Sequence, residues 1–316
     1  MSELHKFLFQ GLPVRGMLVR LEEGWRELLS RRQEALPPAL QSLLGEMTAA
    51  AVLMQSNIKF NGALVFQVLG DGPLKLAVAE VQHDLSFRAT LKARGELPAE
   101  GDLQALMNAH GQGRCAITLD PKDRLPGQQP YQGVVPLQDA QGQGLPTLAE
   151  VLQHYMRQSE QLETTLVLAA NEQLAAGLLI QRLPLEGEAN LEGQSSARRE
   201  ELEDAYHRIS MLASTLKPEE LLSLDAETVL RRLFWQESLQ RFEPLRPRFA
   251  CTCSRERVGN MLLGLGRAEV DEVVAELGGV EIGCEFCGTL YHFDAVDVGE
   301  LFTAPAQQTP GSGSLQ

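Results

Sequence analysis

The sequence predicts an α+β fold in which a mixed α and β region is followed by helices and then by a small module that carries most of the cysteines. Three observations support this prediction. The chain has 316 residues, which suits two domains better than one. Its first part predicts strands joined in hairpins with few helices, rather than alternating strands and helices. Four of the five cysteines lie between positions 251 and 287.

Composition and charge limit the partners of the chain. The net charge of −14 makes nucleic acid and anionic membrane surfaces poor partners. Residues Met1–Pro13 are too polar for a signal-peptide core, and the apolar run Ala49–Met54 is too short to span a bilayer. We therefore expect a protein of the reducing cytoplasm, where cysteines stay free of disulfides.

Residues 1–182 are predicted to form an N-terminal α+β domain. Gly70–Pro73 is typical of a tight turn between two strands, and Cys115 is expected to be a buried core thiol. Helices are predicted over Trp25–Arg32, Ala39–Gln55 and Leu148–Ser159. Strands are predicted over Val14–Leu21, Lys59–Leu69, Leu74–Val81, Phe87–Leu91, Cys115–Leu119, Tyr131–Leu137, Thr164–Ala170 and Ala175–Arg182.

Residues 183–240 are predicted to form an amphipathic helical linker. An acidic loop over 186–193 comes first, and a helix is expected to begin near Ser196. A second helix, Ala226–Leu239, is expected to be capped by Asp225. Positions 184–240 carry twelve Asp or Glu and six Lys or Arg, so the linker is acidic.

Each linker helix has one apolar face, and short helices need a docking surface to be stable. We expect the two helices to be packed at rest. If the docking surface were withdrawn, their apolar faces would be free to bind other proteins. The candidate residues of this switchable or client-binding surface are Leu202, Tyr206, Ile209, Leu216, Leu233, Phe234 and Trp235.

Four cysteines form the most specific chemical pattern in the chain. Cys251 and Cys253 form a C-x-C pair, and Cys284 and Cys287 form a C-x-x-C pair, with residues 254–283 between them. Two such pairs predict a tetrahedral metal site, and four thiolates favour one Zn²⁺ per chain. Four protein ligands leave no open position, which favours a structural or regulatory metal over a hydrolytic one. Disulfides in an exported protein are the competing interpretation.

Residues 241–302 are predicted to form the metal-binding module. Helices are expected over Val258–Leu265 and Ala268–Leu277, and residues 280–288 resemble a zinc knuckle followed by a strand. A module of this size holds only a small core, so bound metal is expected to supply much of its stability. Residues 303–316, rich in Pro, Gly and Ser, are predicted to be a disordered tail.

The same thiolates are the oxidisable form of cysteine, which suggests a switch. Two local disulfides would use every ligand, expel the metal and unfold the module. A plain structural zinc site without a further role remains the alternative. Four arginines flank the first cysteine pair and either stabilise negative sulfur or are solvated surface charges; they are Arg246, Arg248, Arg255 and Arg257.

With these motifs, the chain resembles the thirty-three-kilodalton heat-shock protein, the redox-regulated holdase chaperone of bacteria. The resemblance covers nearly the whole chain. The cysteine set is its most specific part, including Glu285-Phe286 between the last two cysteines. The supporting segments are Val14-Arg15-Gly16, Lys59-Phe60-Asn61-Gly62, Gln67–Pro73 and Tyr131-Gln132-Gly133-Val134-Val135.

The resemblance implies a non-enzymatic chaperone with a resting and an active form. In the resting form the four cysteines bind zinc and the protein is inactive. Oxidation implies disulfides Cys251–Cys253 and Cys284–Cys287, zinc release and an unfolded linker. The active form, often a homodimer, would hold unfolding proteins without ATP. The acidic run 186–193 and the tail after Phe302 have no counterpart in the family pattern.

Two other functions compete with this interpretation. A thiol-disulfide oxidoreductase would use Cys284 and Cys287, but a thioredoxin-like motif should open a helix, whereas Tyr291–Phe293 predicts a strand. A nucleic-acid-binding zinc module needs positive charge. Positions 241–302 carry six Arg and no Lys against eleven Asp or Glu.

Overall fold

The computed structural model describes residues 1–32, 34–96, 98–123, 129–184 and 196–303. The chain divides into two compact units, Met1–Ala250 and Cys251–Gln316. The predicted α+β class is confirmed, since two antiparallel-rich sheets and several helices build the first unit. The division falls ten residues after the predicted start of the cysteine module, because residues 239–249 contribute two strands to the first unit.

A five-stranded sheet forms one layer of the first unit. Its strands are β1 (Glu3–Phe9), β2 (Val14–Leu21), β8 (Thr164–Ala170), β9 (Ala175–Arg182) and β10 (Leu239–Arg241), in the order β10-β1-β2-β9-β8. All neighbours are antiparallel. Side chains alternate across the sheet, so Met17 and Val19 face one core while Val14 and Leu18 face another.

A six-stranded sheet forms a second layer. Its strands are β3 (Gly62–Leu69), β4 (Leu74–Gln82), β5 (Ser86–Ala93), β6 (Arg114–Pro121), β7 (Tyr131–Pro136) and β11 (Arg248–Phe249), in the order β11-β5-β4-β3-β6-β7. The predicted turn at Gly70–Pro73 joins β3 to β4 as an antiparallel hairpin. Cys115 is fully buried in β6, as predicted, and burial raises the pKa of its thiol to about 12.

Helix α2 (Pro38–Gln55) packs against strands of both sheets and is apolar on nearly all sides. Gly45 allows a close approach, because a Cβ there would lie 2.3 Å from the Cβ of Ala170. Trp25 is fully buried beside it and donates a hydrogen bond from Nε1 to the carbonyl of Asn171. The other helices of this region are α1 (Glu23–Ser30), α3 (Leu103–Met107) and α4 (Leu148–Ser159).

The linker helices cover the other face of the five-stranded sheet. They are α5 (Ser196–Ser214), α6 (Pro218–Ser223) and α7 (Ala226–Phe234). The predicted cap is confirmed, since the Asp225 side chain accepts a hydrogen bond from the Thr228 N–H. The predicted end of the second helix at Leu239 is wrong. The helix ends at Phe234, and Leu239 pairs with Phe9 in the sheet instead.

The second unit contains α8 (Arg255–Leu265), α9 (Arg267–Leu277), β12 (Gly279–Gly283), β13 (Leu290–Asp294) and α10 (Ala295–Thr303). The two predicted helices and the strand–turn–strand pattern are confirmed, and α10 was not predicted. The acidic run 186–193 and positions 304–316 of the predicted tail lie outside the described residues, whereas Thr303 ends α10. Within the described part of the chain, no helix combines the length and apolarity needed to cross a membrane.

Candidate metal centre

The second cysteine pair lies in the tight turn between β12 and β13. The Gly288 N–H donates to the carbonyl of Cys284 at 2.8 Å, and the Cys284 N–H donates to the carbonyl of Thr289 at 2.9 Å. Gly288 has a φ of 68°, a left-handed conformation that glycine adopts without strain. This turn fixes Cys284 and Cys287 with their side chains on the same side of the hairpin end.

The first cysteine pair precedes helix α8. Ser254 caps this helix, and its side chain accepts a hydrogen bond from the Arg257 N–H. The Arg257 guanidinium donates to the carbonyl of Thr252, between the two cysteines, at 2.8 Å. The helix start therefore holds the C-x-C segment in place.

The four sulfur atoms converge, so the fold joins all four cysteines that the sequence predicted. They lie within 4.8 Å of one another. The Sγ atoms of Cys251 and Cys284 are 3.7 Å apart, and those of Cys253 and Cys287 are 3.3 Å apart. A tetrahedron with zinc–sulfur bonds of about 2.3 Å has sulfur–sulfur edges of about 3.8 Å. The cluster therefore has the dimensions of a four-thiolate metal site.

The side chains of Tyr291 and Thr289 also contact the sulfurs, and neither contact was predicted from the sequence. The Tyr291 hydroxyl donates to Sγ of Cys253 at 3.1 Å, which raises the tyrosine pKa to about 12. The Sγ of Cys287 lies 3.2 Å from Oγ1 of Thr289. Both residues belong to the segment that returns from the turn, so only the hairpin places them beside the cysteines.

Local contacts give the thiols different proton affinities. Burial raises the pKa of Cys253 to about 12, and the hydrogen bond from Tyr291 only partly opposes it. Burial also raises the pKa of Cys284. For Cys287, burial acts in the same direction but is outweighed by hydrogen bonds with the side chain and backbone of Thr289, so its pKa falls to about 7. The Cys287 thiol thus ionises more readily than those of Cys253 and Cys284.

The flanking arginines have partners other than sulfur. Arg255 forms an ion pair with Asp297 at 2.8 Å, donates to the carbonyl of His292, and lies 4.1 Å from the ring centre of Phe293. Arg248 pairs with Asp84 in the first unit at 2.6 Å. Arg246 is exposed. These contacts favour the interpretation of solvated and structural charges over a role in stabilising thiolates.

The hydrophobic core beneath the cysteines is small. Its buried members are Leu262, Val270, Val280, Phe293 and Val298. Full burial of one such side chain contributes about 1.5–3 kcal/mol, against a conformational entropy cost of about 1–2 kcal/mol for each ordered residue. Five side chains cannot offset the ordering of the whole module, so the fit of the four sulfurs to a metal matters for its stability.

The predicted switchable surface is almost entirely buried in this structure. Six of its seven residues pack away from solvent: Leu202, Tyr206, Ile209, Leu216, Leu233 and Phe234. The seventh, Trp235, is 72% exposed. The ring of Phe234 meets that of Phe9 edge to face, with centroids 5.1 Å apart. The Arg20 guanidinium of β2 donates to the carbonyl of Leu221 at 2.8 Å and so fixes α6 to the same sheet.

Comparison with known proteins identifies the family. The family model described as Hsp33 protein matches residues 2–294, which includes both sheets, the linker helices and all four clustered cysteines. The chain belongs to the Hsp33 family.

Curated relatives extend this result over nearly the whole length. The 33 kDa chaperonin of Chromobacterium violaceum is 47% identical over 302 residues, which cover 95% of this chain and 94% of the relative. The 33 kDa chaperonin of Shewanella woodyi is 42% identical and covers 96% of both chains. The resemblance stated from the sequence motifs is therefore confirmed, and the chain is related to proteins named as chaperones rather than as enzymes.

A solved structure supports the fold. The crystal structure of the 33 kDa chaperonin from Thermotoga maritima matches with a TM-score of 0.72 and covers 95% of this chain and 98% of its own. Its sequence identity is only 21%, so this comparison bears on the fold alone. The Hsp33 architecture is thus shared at low sequence identity.

Proposed function

We propose that this member of the Hsp33 family is a redox-regulated, ATP-independent holdase that binds unfolding proteins under oxidative stress. One observation carries the proposal: four cysteine sulfurs lie within 4.8 Å of one another in a unit whose core, over the residues that the structure describes, has five buried side chains. The fold of this unit therefore depends on the chemical state of its sulfurs. Oxidation converts that dependence into a structural response.

In the reduced form, Cys251, Cys253, Cys284 and Cys287 would hold one Zn²⁺. The ion, when bound, keeps the four sulfurs as thiolates and closes the tetrahedron. Tyr291 would orient the Cys253 sulfur through its hydroxyl. This form is proposed to be inactive, because the linker helices bury their apolar faces.

In the oxidised form, disulfides Cys251–Cys253 and Cys284–Cys287 are proposed, as the family resemblance implies. Each disulfide forms when two thiolates lose two electrons, and one hydrogen peroxide takes up these electrons together with two protons from solvent to become two water molecules. Two peroxides therefore convert all four ligands. In the structure the sulfurs also make contacts across the pairs, Cys251 to Cys284 and Cys253 to Cys287, and these contacts would be lost when the local disulfides form. No metal ligand then remains.

Loss of the sulfur cluster is proposed to release the linker. Residues 235–250, which include β10 and β11, connect the end of α7 to Cys251. Helices of 6 and 9 residues, such as α6 and α7, are marginal without a docking surface. Their release would expose their own apolar faces and the sheet face that they cover, and both are surfaces for unfolded clients.

The proposed cellular compartment follows from the redox chemistry of the four cysteines. The cluster needs a reducing compartment at rest, so we place the protein in the cytoplasm. We infer no catalytic activity, because Cys284 and Cys287 lie in a hairpin turn and do not open a helix, as a thioredoxin-like pair would. We also propose that the oxidised form is a homodimer. No nucleic-acid or membrane partner is proposed.

Paired measurements test this function. Zinc release, followed with a chromogenic chelator, is compared with suppression of the aggregation of heat-denatured citrate synthase, before and after peroxide. We expect both to rise together and to reverse on reduction with added zinc. Cys115→Ala, which changes the cysteine outside the cluster, should behave like the unaltered protein. A reduced, zinc-loaded sample that holds the client as well as the oxidised one would contradict the proposal.

A further inference from the structure

The outer edge of β1 is closed by a segment of its own chain, residues 238–245. Strand β10 pairs antiparallel with β1 in the middle of this segment. Further backbone hydrogen bonds join Leu4 N to Leu245 O, Leu245 N to Leu4 O, Phe242 N to Lys6 O and Gln10 N to Ser238 O, at 2.9, 2.9, 3.0 and 2.9 Å. These bonds pair the N–H and C=O groups that an open sheet edge would present to other chains.

The same stretch of chain also covers the face of β1. Helix α7 ends at Phe234, whose ring centroid lies 6.1 Å from that of Phe7 and 5.1 Å from that of Phe9. The edge-covering segment begins four residues later, at Ser238. Face and edge are therefore covered by one continuous piece of chain, so release of α7 would leave the edge segment without its neighbour on the N-terminal side.

The edge cover is held by its backbone hydrogen bonds, by the half-buried side chain of Leu239, and by an ion pair between Arg241 and Glu227 of α7. Strand β10 has only three residues, whereas β2 on the other side of β1 has eight. The side chains of Phe242 and Leu245 are 47% and 41% exposed, so they bury little apolar surface. Pro244 has no N–H to donate. Residues 238–245 can therefore detach from β1 without a large loss of buried apolar surface.

We propose that the uncovered edge of β1 binds extended segments of unfolded client proteins, which add to the sheet as a further antiparallel strand. This inference rests on the proposed holdase function and specifies its ligand class. Backbone hydrogen bonds do not depend on side-chain identity, which suits a protein with many clients. Apolar side chains at alternate client positions lie beside Phe7 and Phe9. In the resting form, residues 238–245 occupy this site as an internal substitute.

Amide hydrogen exchange of β1 tests the proposal in the full chain. The N–H groups of Leu4 and Gln10 point to the edge, whereas β2 is paired on both sides, so the Val19 N–H serves as the internal control. We expect Leu4 and Gln10 to be protected when reduced and to exchange rapidly after peroxide. With bound citrate synthase, their exchange should slow by about tenfold or more, as renewed hydrogen bonding requires.

The outcomes separate this inference from the function on which it rests. An oxidised protein that fails to hold citrate synthase overturns the proposed function. An oxidised protein that holds the client while Leu4 and Gln10 exchange as fast as without it overturns only the strand addition. Leu4 and Gln10 amides that stay protected after oxidation also overturn it, because the edge then remains closed.

A peptide competition gives a second test. The probe is a labelled synthetic peptide of residues 236–245, offered to the oxidised protein. N-methylation at Phe242 and Leu245 removes two N–H groups that donate to β1, and we expect binding to weaken by about tenfold, as for two hydrogen bonds of ordinary net strength. Leu239 and Arg241 lie at alternate positions whose N–H groups point away from β1, so methylation there should leave affinity unchanged. Equal affinity of both methylated peptides, or no binding of the unmodified one, overturns the proposal.

Discussion

The two units of this chain are stabilised in different ways. Among the described residues, the first unit has one core of 44 buried side chains and a second core of 19 under the linker helices. The second unit has a core of 5 and a cluster of four cysteines. Burial of apolar surface does not respond to oxidants, whereas thiolate ligation does. The small unit is therefore suited to sensing and the large one to providing a persistent scaffold.

The linker helices are expected to be less stable than the sheets and more stable than the second unit without metal. They pack on the large unit through the 19-residue core, and residues 235–250 join α7 to the first cysteine. Helices α6 and α7 have only 6 and 9 residues, and the aromatic contacts of Phe234 and the Arg20 hydrogen bond to α6 add to their attachment. In the function proposed above, a change in the second unit releases these helices without unfolding the sheets. Four substitutions distinguish the contributions of the metal site, the helix docking and a buried charge, and their expected effects decrease in the order given.

The largest effect is expected from Cys284→Ser. It removes one of four ligands, and metal ligation contributes about 10–16 kcal/mol to the folding of modules of this kind. We expect zinc to be lost, the second unit to unfold and the linker helices to be released, while the 44-residue core around α2 keeps its melting transition. Calorimetry and metal analysis measure this, with Cys115→Ala as the matched control. A variant that binds zinc and folds normally would show that the apolar core alone supports the unit.

The next effect is expected from Phe234→Ala. Phe234 is 2% exposed and contacts Phe7 and Phe9, so truncation should cost about 3–5 kcal/mol of linker docking. The reduced, zinc-loaded variant should then become sensitive to protease in α5–α7 and hold clients without oxidant. Trp235→Ala is the matched control, because Trp235 is the next residue in the chain and its side chain is 72% exposed. If both variants behave alike, docking does not depend on this aromatic cluster.

A smaller effect is expected from Tyr291→Phe. This change removes only the hydroxyl that donates to the Cys253 sulfur. Loss of such a contact typically weakens metal affinity by about 10–100-fold. Competition with a chelator measures it, and His292→Ala, which alters the adjacent exposed side chain, should leave affinity unchanged. Equal zinc affinity of the phenylalanine variant and the unaltered protein would show that the Tyr291 hydroxyl does not contribute to metal binding.

The smallest effect concerns pH and the large unit alone. Burial raises the pKa of Glu46 on α2 to about 7, partly offset by a hydrogen bond from Ser42. Between the unfolded pKa of about 4.5 and 7, the folded state binds more protons, so stability falls as pH rises through this window. Glu46→Gln should remove this fall and raise stability by roughly 1–2 kcal/mol at pH 8 but not at pH 4. Denaturant titrations at both pH values test this, with exposed Glu23→Gln as the control, and an equal gain at both would contradict it.

Local signals predicted those elements that local contacts determine. Helix α4 was predicted at the same two ends, because Thr147 and Glu150 form a capping box at its start. The strands Thr164–Ala170 and Ala175–Arg182 were also correct, since Asn171 forms the turn between them. The four cysteines were recognised from spacing alone, because metal geometry restricts which spacings bring ligands together.

Elements that depend on distant contacts were missed. Strand β10 is three residues long and exists only because β1, more than 200 residues earlier, offers an edge. The same pairing draws Leu239 out of the predicted helix, so tertiary contact overrides helical periodicity. Tyr291 reaches Cys253 only through the β12–β13 register, in which Tyr291 pairs with Ile282. No pattern within one segment predicts these contacts.

In the proposed function, the state of four sulfurs controls whether the linker helices stay packed, and hydrogen exchange across α5–α7 measures that packing. It is followed in the reduced zinc-loaded protein, after peroxide, and after reduction with added zinc. We expect amides over 202–234 to be protected at first, to lose protection as zinc leaves and to regain it on reduction, while those of α2 stay protected throughout. Linker amides that remain protected in an oxidised, zinc-free protein that holds its client would contradict it.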